Sequence, residues 1–126
     1  GSRHEVPMPR SRHLELAPGD LPPAALLRRA EGGLLVEEVE RGRLDPHTGE
    51  VALDLPFARR IRDAAPAETV GRCRLRGRVA DLLAGVLAVG SDSEPAGAGW
   101  CAKGGQLLPV WARAASMLIE RVEVTP

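Results

Sequence analysis

The chain has 126 residues, 44% of them apolar, and its 17 basic and 17 acidic side chains leave no net charge. That length supports one domain with its own core, and the neutral balance removes any bulk attraction to nucleic acid or an anionic membrane. No run of about 18 apolar residues suits a membrane span, and no charged start leads into an apolar stretch as in a secretory signal.

In chain order, Gly1-Ser2 reads as the remnant of a cleaved tag, which leaves the natural start open. Residues 1–20 are expected to form an irregular arm, because Pro7, Pro9, Pro18 and Gly19 break any helix. Within the arm "HLEL" (13–16) can pair as a strand. Asp20 is expected to cap a helix by accepting hydrogen bonds from the first turn. Pro22 and Pro23 suit that turn, residues 24–31 continue it, and Gly32-Gly33 stop it. "GLLVEEVERGRLD" (33–45) reads as a strand and "DPHTGE" (45–50) as a turn. "VALDLPF" (51–57) alternates, with Val51, Leu53, Leu55 and Phe57 on one face, so the three pieces predict a hairpin. Pro56 argues for an edge position or a bulge.

"DAAPAE" (63–68) reads as a second turn, and "TVGRCRLRGR" (69–78) as a strand with Gly71, Cys73, Leu75 and Gly77 opposite Arg72, Arg74, Arg76 and Arg78. Val79, Leu82, Leu83 and Val86 change to helical spacing. "LAVGSDSEPAGAG" (87–99) ends in a loop, and "QLLPVW" (106–111) and "SMLIERVEV" (116–124) are the last two strands. The sum is an α+β, β-rich fold: a mostly antiparallel twisted sheet rolled toward a barrel or sandwich, with two short helices. Residues 21–126 form its single domain. With no Tyr, one Phe and two Trp, the core has to be aliphatic.

The stretch with most chemistry is "WCAKGGQLLPV" (100–110), where a thiol precedes a permissive loop. Lys103 beside Cys101 can favour a thiolate, and Gly104-Gly105 permit close backbone approach. Cys73, on the apolar face of its strand, reads as a buried inert residue. His47 reads as a solvated turn residue. The arginine stripe can track phosphates, or it can be a solvated face paired with Glu37, Glu38 or other acids; neutrality and scarce aromatics favour the second. Trp100 and Trp111 read as packing residues, or as walls of a peptide cleft. Gly104 and Gly105 can equally make a plain turn into the next strand.

"GLLVEEVERGRLDPHTGE", "AVGSD" and "GWCAKGGQLLPV" occur in the order and at the distances that make the chain resemble the carboxy-terminal part of the TldD/PmbA family, long labelled modulators of DNA gyrase. "PRSRHLELAPGD" (9–20) and "MLIERVEV" are similar to that family's first and last segments. Two cysteines, far apart and in unlike contexts, make no disulfide framework, so a reducing cytoplasm is the default expectation. The resemblance implies a dimeric system, often of two unlike subunits, in which one subunit is a zinc metallopeptidase acting on peptides. It implies that Cys101 is a zinc ligand, with both histidines and the general base on a His-Glu-x-x-x-His helix. That helix is not in this chain: His4 and Glu5 begin the pattern, but Pro9 stands where the second His belongs, and the prolines forbid a helix. Ala102 also departs from the family's usual Gly. His13 stands where the family usually has an Asn near its cleft, which implies a polar contact to peptide. Gly104, Gly105 and Gln106 read as part of a cleft that holds peptide backbone, since Gln106 can both donate and accept.

Catalytic zinc needs three protein ligands, so no zinc is expected on this chain alone. The leading expectation is a domain inactive by itself, contributing Cys101 and a cleft wall to an assembly completed by an amino-terminal portion or a partner subunit. The alternatives are a non-catalytic peptide-binding or dimerisation scaffold and, behind it, a gyrase-associated or nucleic-acid-binding factor. A His4/His13/Cys101 zinc site is an outside option.

Overall fold

The computed structural model describes residues 8–126. The readings of Gly1-Ser2, His4, Glu5 and Pro7 lie outside that range. An arm enters through β1 (His13–Glu15), and helix α1 (Pro23–Arg29) follows. Then come β2 (Leu34–Leu35), β3 (Arg41–Leu44), β4 (Glu50–Leu55), β5 (Ala58–Arg62), β6 (Ala65–Val70) and β7 (Cys73–Arg78). Helix α2 (Val79–Ala84) separates these from β8 (Val86–Val89), β9 (Glu94–Lys103), β10 (Gln106–Ala114), β11 (Met117–Ile119) and β12 (Glu123–Thr125).

The fold is β-rich, with two short helices, as the sequence predicts. The strands form four small sheets, ordered β1-β10-β9, β11-β8, β12-β7-β4-β3 and β2-β5-β6. All pairs are antiparallel except β1 with β10. None of these sheets closes into a barrel. The core is aliphatic: Leu55, Ala58 and Cys73 are buried, with Leu34, Leu53 and Leu75 packed on them, and Leu26 and Ile61 are buried nearby. An apolar hollow of about 660 Å³, lined among others by Leu26, Leu34, Leu53, Ile61, Leu75 and Leu118, lies between the helix and the sheets.

Several boundaries differ from the sequence reading, each for a physical reason. Asp20 does not cap α1: the cap position is Pro22, with no side-chain hydrogen bond. The residues around Asp20 are already committed, since Gly19 N–H donates to Gly90 O (2.7 Å) and Ser91 N–H to Leu21 O (2.7 Å). The long strand expected over 33–45 is split because its ends serve different sheets: Leu34-Leu35 pair with β5, and Arg41–Leu44 with β4.

Residues 65–68 belong to a strand rather than a turn. The turn is only Asp63-Ala64, both at positive φ (51° and 57°), and the Glu31 carboxylate accepts both of their N–H groups (3.0 and 2.9 Å). Pro66 is tolerated because β6 is an edge strand. Pro56 lies just past the end of β4. The Gly/Ala-rich residues 94–99 are also strand, because β10 pairs with them on both sides of a register shift at Ala96. The last predicted strand divides at Arg121, which has φ 57°; β11 then pairs with β8, and β12 with β7. The "DPHTGE" turn forms as expected: Asp45 Oδ1 accepts from His47 N–H (2.8 Å) and Thr48 N–H (3.4 Å), and Gly49 takes φ 75°.

The "GSD" segment is a structural knot. Gly90 N–H donates to Ser116 O (2.7 Å). The Asp92 carboxylate accepts from Ser116 N–H (3.1 Å to each oxygen) and Ser116 Oγ–H (2.6 Å). These bonds hold the Asp92 carboxyl below its ordinary value, against a smaller desolvation effect. The folded-state value lies below the unfolded one, so protonation favours unfolding. The contribution is full above the ordinary value of 3.8 and is lost as pH falls through the folded one. Asp92→Ala should lower the thermal midpoint by about 5 °C near neutral pH, the equivalent of roughly 1 kcal/mol. Thermal melts of both proteins from pH 7 to pH 2 check this: the gap should shrink as the solution is acidified.

Candidate functional site

The signature segment folds as the β9–β10 hairpin. Gly104 and Gly105 are its two-residue turn, at φ 55° and 76°, the left-handed pair that matches the twist of the flanking strands. An ideal Cβ at Gly104 would also sit 2.8 Å from Met8 Cε, so the arm crosses directly over the turn. Gln106 pairs with Lys103 and Leu108 with Cys101.

Opposite residues of an antiparallel ladder share a face, and alternation extends it. Cys101, Lys103, Gln106, Leu108 and Val110 therefore lie on one side; Trp100, Leu107, Pro109 and Trp111 lie on the other. Cys101 is the one half-buried residue of an otherwise exposed ten-residue strand. Its thiol is unpaired.

At the tip of the hairpin the arm holds on mainly through the Arg10 side chain. Arg10 Nη2 donates to Cys101 O (2.5 Å) and approaches Gln106 O (3.5 Å). Its Nη1 donates to Gln106 Oε1 (3.1 Å) and Lys103 O (3.3 Å). Lys103 Nζ reaches Pro9 O at 3.5 Å. Further along, Trp111 N–H donates to Arg12 O (3.0 Å), and β1 pairs in parallel with β10, His13 opposite Trp111. The sequence reading did not single out Arg10. The only signal was its place in the arm segment carrying the family likeness, and its target, a set of carbonyls 91 to 96 residues away, has no sequence mark.

The structure brings Cys101, Gln106 and the turn glycines together and sets His13 apart from them. The His13 ring stacks on Trp111 with centroids 5.4 Å apart and planes tilted by 44°, on the face opposite Cys101, and its Nε2 lies 3.5 Å from Glu15 Oε2. Gln106 Oε1 is already engaged by Arg10. Trp100 and Trp111 are exposed rather than packed in a core. Cys73 is buried, as expected of an inert thiol. His47 is exposed in its turn.

Of the arginine stripe, Arg72 pairs with Glu40 (2.7 Å) and Arg74 with Asp54 (2.5 Å), while Glu37 is taken by Arg59 (2.5 Å). No cluster of three or more His, Cys, Asp or Glu side chains suited to a metal occurs among the described residues. The donor chemistry at Cys101 fits one zinc–thiolate bond, and a catalytic zinc takes three protein ligands.

Residues 1–126 match the family model described as the PmbA/TldA metallopeptidase C-terminal domain. A Methanothermobacter thermautotrophicus protein described as a metalloprotease is 34% identical over 106 residues, covering 84% of this chain and 23% of that protein. The solved structure of a Thermotoga maritima protein, described as a modulator of a DNA gyrase, aligns with a TM-score of 0.71 at 23% identity over 90% of this chain and 24% of that one. That likeness shows the fold. The chain spans about a quarter of the length of both relatives.

Arg10→Ala should destabilise the chain by about 2 kcal/mol, the loss of several hydrogen bonds to one charged group. It should also speed modification of Cys101 by a thiol reagent about tenfold, since opening the hairpin tip then costs less. Arg10→Lys keeps the charge without the fork and should recover little of either effect. Reaction rates measured with Cys73 replaced by Ala isolate the Cys101 signal.

Proposed function

The chain belongs to the PmbA/TldD family, whose C-terminal metallopeptidase domain it matches along its length, and on that premise we propose that it supplies one zinc ligand, Cys101, and one wall of a peptide cleft to a composite peptidase site. The observation that carries this reading is the presentation of Cys101. It is a free, half-buried thiol on a strand that is otherwise exposed, held beside a turn pinned by Arg10.

When bound, zinc supplies the Lewis acid that activates water for attack on a peptide carbonyl. The role of this chain is to hold the thiol in place. Arg10 fixes the carbonyl of Cys101 and the amide of Gln106, and the Gly104-Gly105 turn keeps side-chain bulk away from the tip. The histidine ligands and the general base come from an amino-terminal portion or a partner subunit bearing a His-Glu-x-x-x-His helix. Two unpaired thiols suit a reducing cytoplasm, and no helix among the described residues is long and apolar enough to cross a membrane.

A second reading, a peptide-binding or dimerisation scaffold without chemistry, is favoured by the β9 edge. Among the described residues, β9 has no strand on its outer side, and it carries exposed Trp100. An extended segment can add to such an edge through main-chain hydrogen bonds.

Zinc content and peptide cleavage separate the two. This polypeptide alone should cleave nothing. Mixed with the histidine-bearing partner, it should yield an active assembly that retains about one zinc per site. Cys101→Ser should abolish activity and reduce zinc retention, with assembly by size-exclusion chromatography unchanged. Full activity in that variant would leave the scaffold reading standing.

A further inference from the structure

The outward face of the β12-β7-β4-β3 sheet carries a cluster that the peptidase reading does not use. Its ladder places Arg41, Asp54, Arg74 and Thr125 in one row, and Arg43, Ala52, Arg76 and Glu123 in the next. Glu50 and Arg78 make a third row. Directly opposed and alternate residues share a face, so all of these side chains project to the same side.

Two of the five arginines on this face are committed. Arg74 pairs with Asp54, and Arg78 donates to Thr48 O (3.0 and 3.3 Å). Elsewhere three guanidinium groups take one carboxylate apiece: Arg59 with Glu37, Arg62 with Glu68 and Arg72 with Glu40. That one-to-one pattern follows from matching a two-oxygen acceptor to one fork. Arg41, Arg43 and Arg76 form no ion pair among the described residues.

Arg43 and Arg76 flank Ala52 from either side, with Cα atoms about 10 Å apart, two strand spacings. Only the Ala52 methyl stands between them in the ladder. Two forks on one face with so small a side chain between them suit an acceptor with more oxygens than a carboxylate, and a tetrahedral phosphate can take bonds from both. Arg41, one pleat along β3, adds a third positive charge; Arg41 and Arg43 both lower the Asp54 carboxyl, behind the larger effect of Arg74. Arg41 also lines an adjoining cavity of about 360 Å³, where Glu40 and Asp54 already answer Arg72 and Arg74 and leave Arg41 without an ion pair. Glu123 and Glu50 bound the basic strip, so it offers room for one compact anion and no continuous track for a polynucleotide.

We propose that this face is an oxyanion site of the phosphate class, with Arg43 and Arg76 gripping the anion over Ala52 and Arg41 assisting.

The test is a calorimetric titration of the chain with inorganic phosphate at constant ionic strength. One saturable site is expected, and Arg43→Gln or Arg76→Gln should each weaken it about tenfold. Ala52→Glu, which puts a carboxylate between the two arginines, should abolish it, while Arg62→Gln, on another sheet, should leave it unchanged. Because Arg43 lies on an edge strand, its variant carries the test if Arg76→Gln fails to fold. No saturation, or equal affinity in all variants, would overturn the proposal. So would salt-sensitive retention of a single-stranded oligonucleotide tighter than that of phosphate, which would give the face to a polymer.

Discussion

One guanidinium holds the chemically richest part of this chain in place. The β9–β10 hairpin ends in two glycines, has an open outer edge and buries little of its own surface. Left alone, such a hairpin is marginal. Arg10 supplies what the hairpin lacks by bridging the carbonyls of Cys101 and Lys103 and the side chain of Gln106 from above. The rest of the arm adds to that anchor, with Met8 over Gly104, Arg12 on β10 and β1 in parallel register. The arm and the signature segment are thus one structural unit, although they stand at opposite ends of the sequence.

Legibility divides along the line between local and long-range causes. The aliphatic core, both helices, the "DPHTGE" turn and the alternation of residues 73–77 were readable because their causes lie within a few residues. The β5–β6 hairpin was not, because its turn is Asp63-Ala64 rather than a glycine pair, and it depends on a carboxylate more than thirty residues away. The split at residues 36–40 was hidden for a similar reason: nothing in "VEEVE" announces a passage from one sheet to another. At the site, Cys101 and the glycine turn stood out by composition. The separation of His13 from Cys101 is a question of strand register, and register appears only once β1 is docked on β10.

The charge balance has the same local character. A net charge of zero conceals pairing that is bidentate in places, as at Arg59–Glu37 and Arg62–Glu68. Such pairs contribute little stability at exposed sites, but they fix which arginines are occupied. Neutrality therefore says little about any single face: the surplus positive charge of one sheet is offset elsewhere on the molecule.

The open side of β9 has a consequence for solubility. A ten-residue edge with few charges is a template on which identical chains could stack into fibrils. Pro95 contributes no N–H, and the ladder slips between Ala112 and Arg113, so the first third of the strand is bent out of line. The stretch left flat ends at Lys103, whose charge would be stacked on itself in any parallel, in-register array. The strand thus keeps an unpaired edge that resists self-propagation.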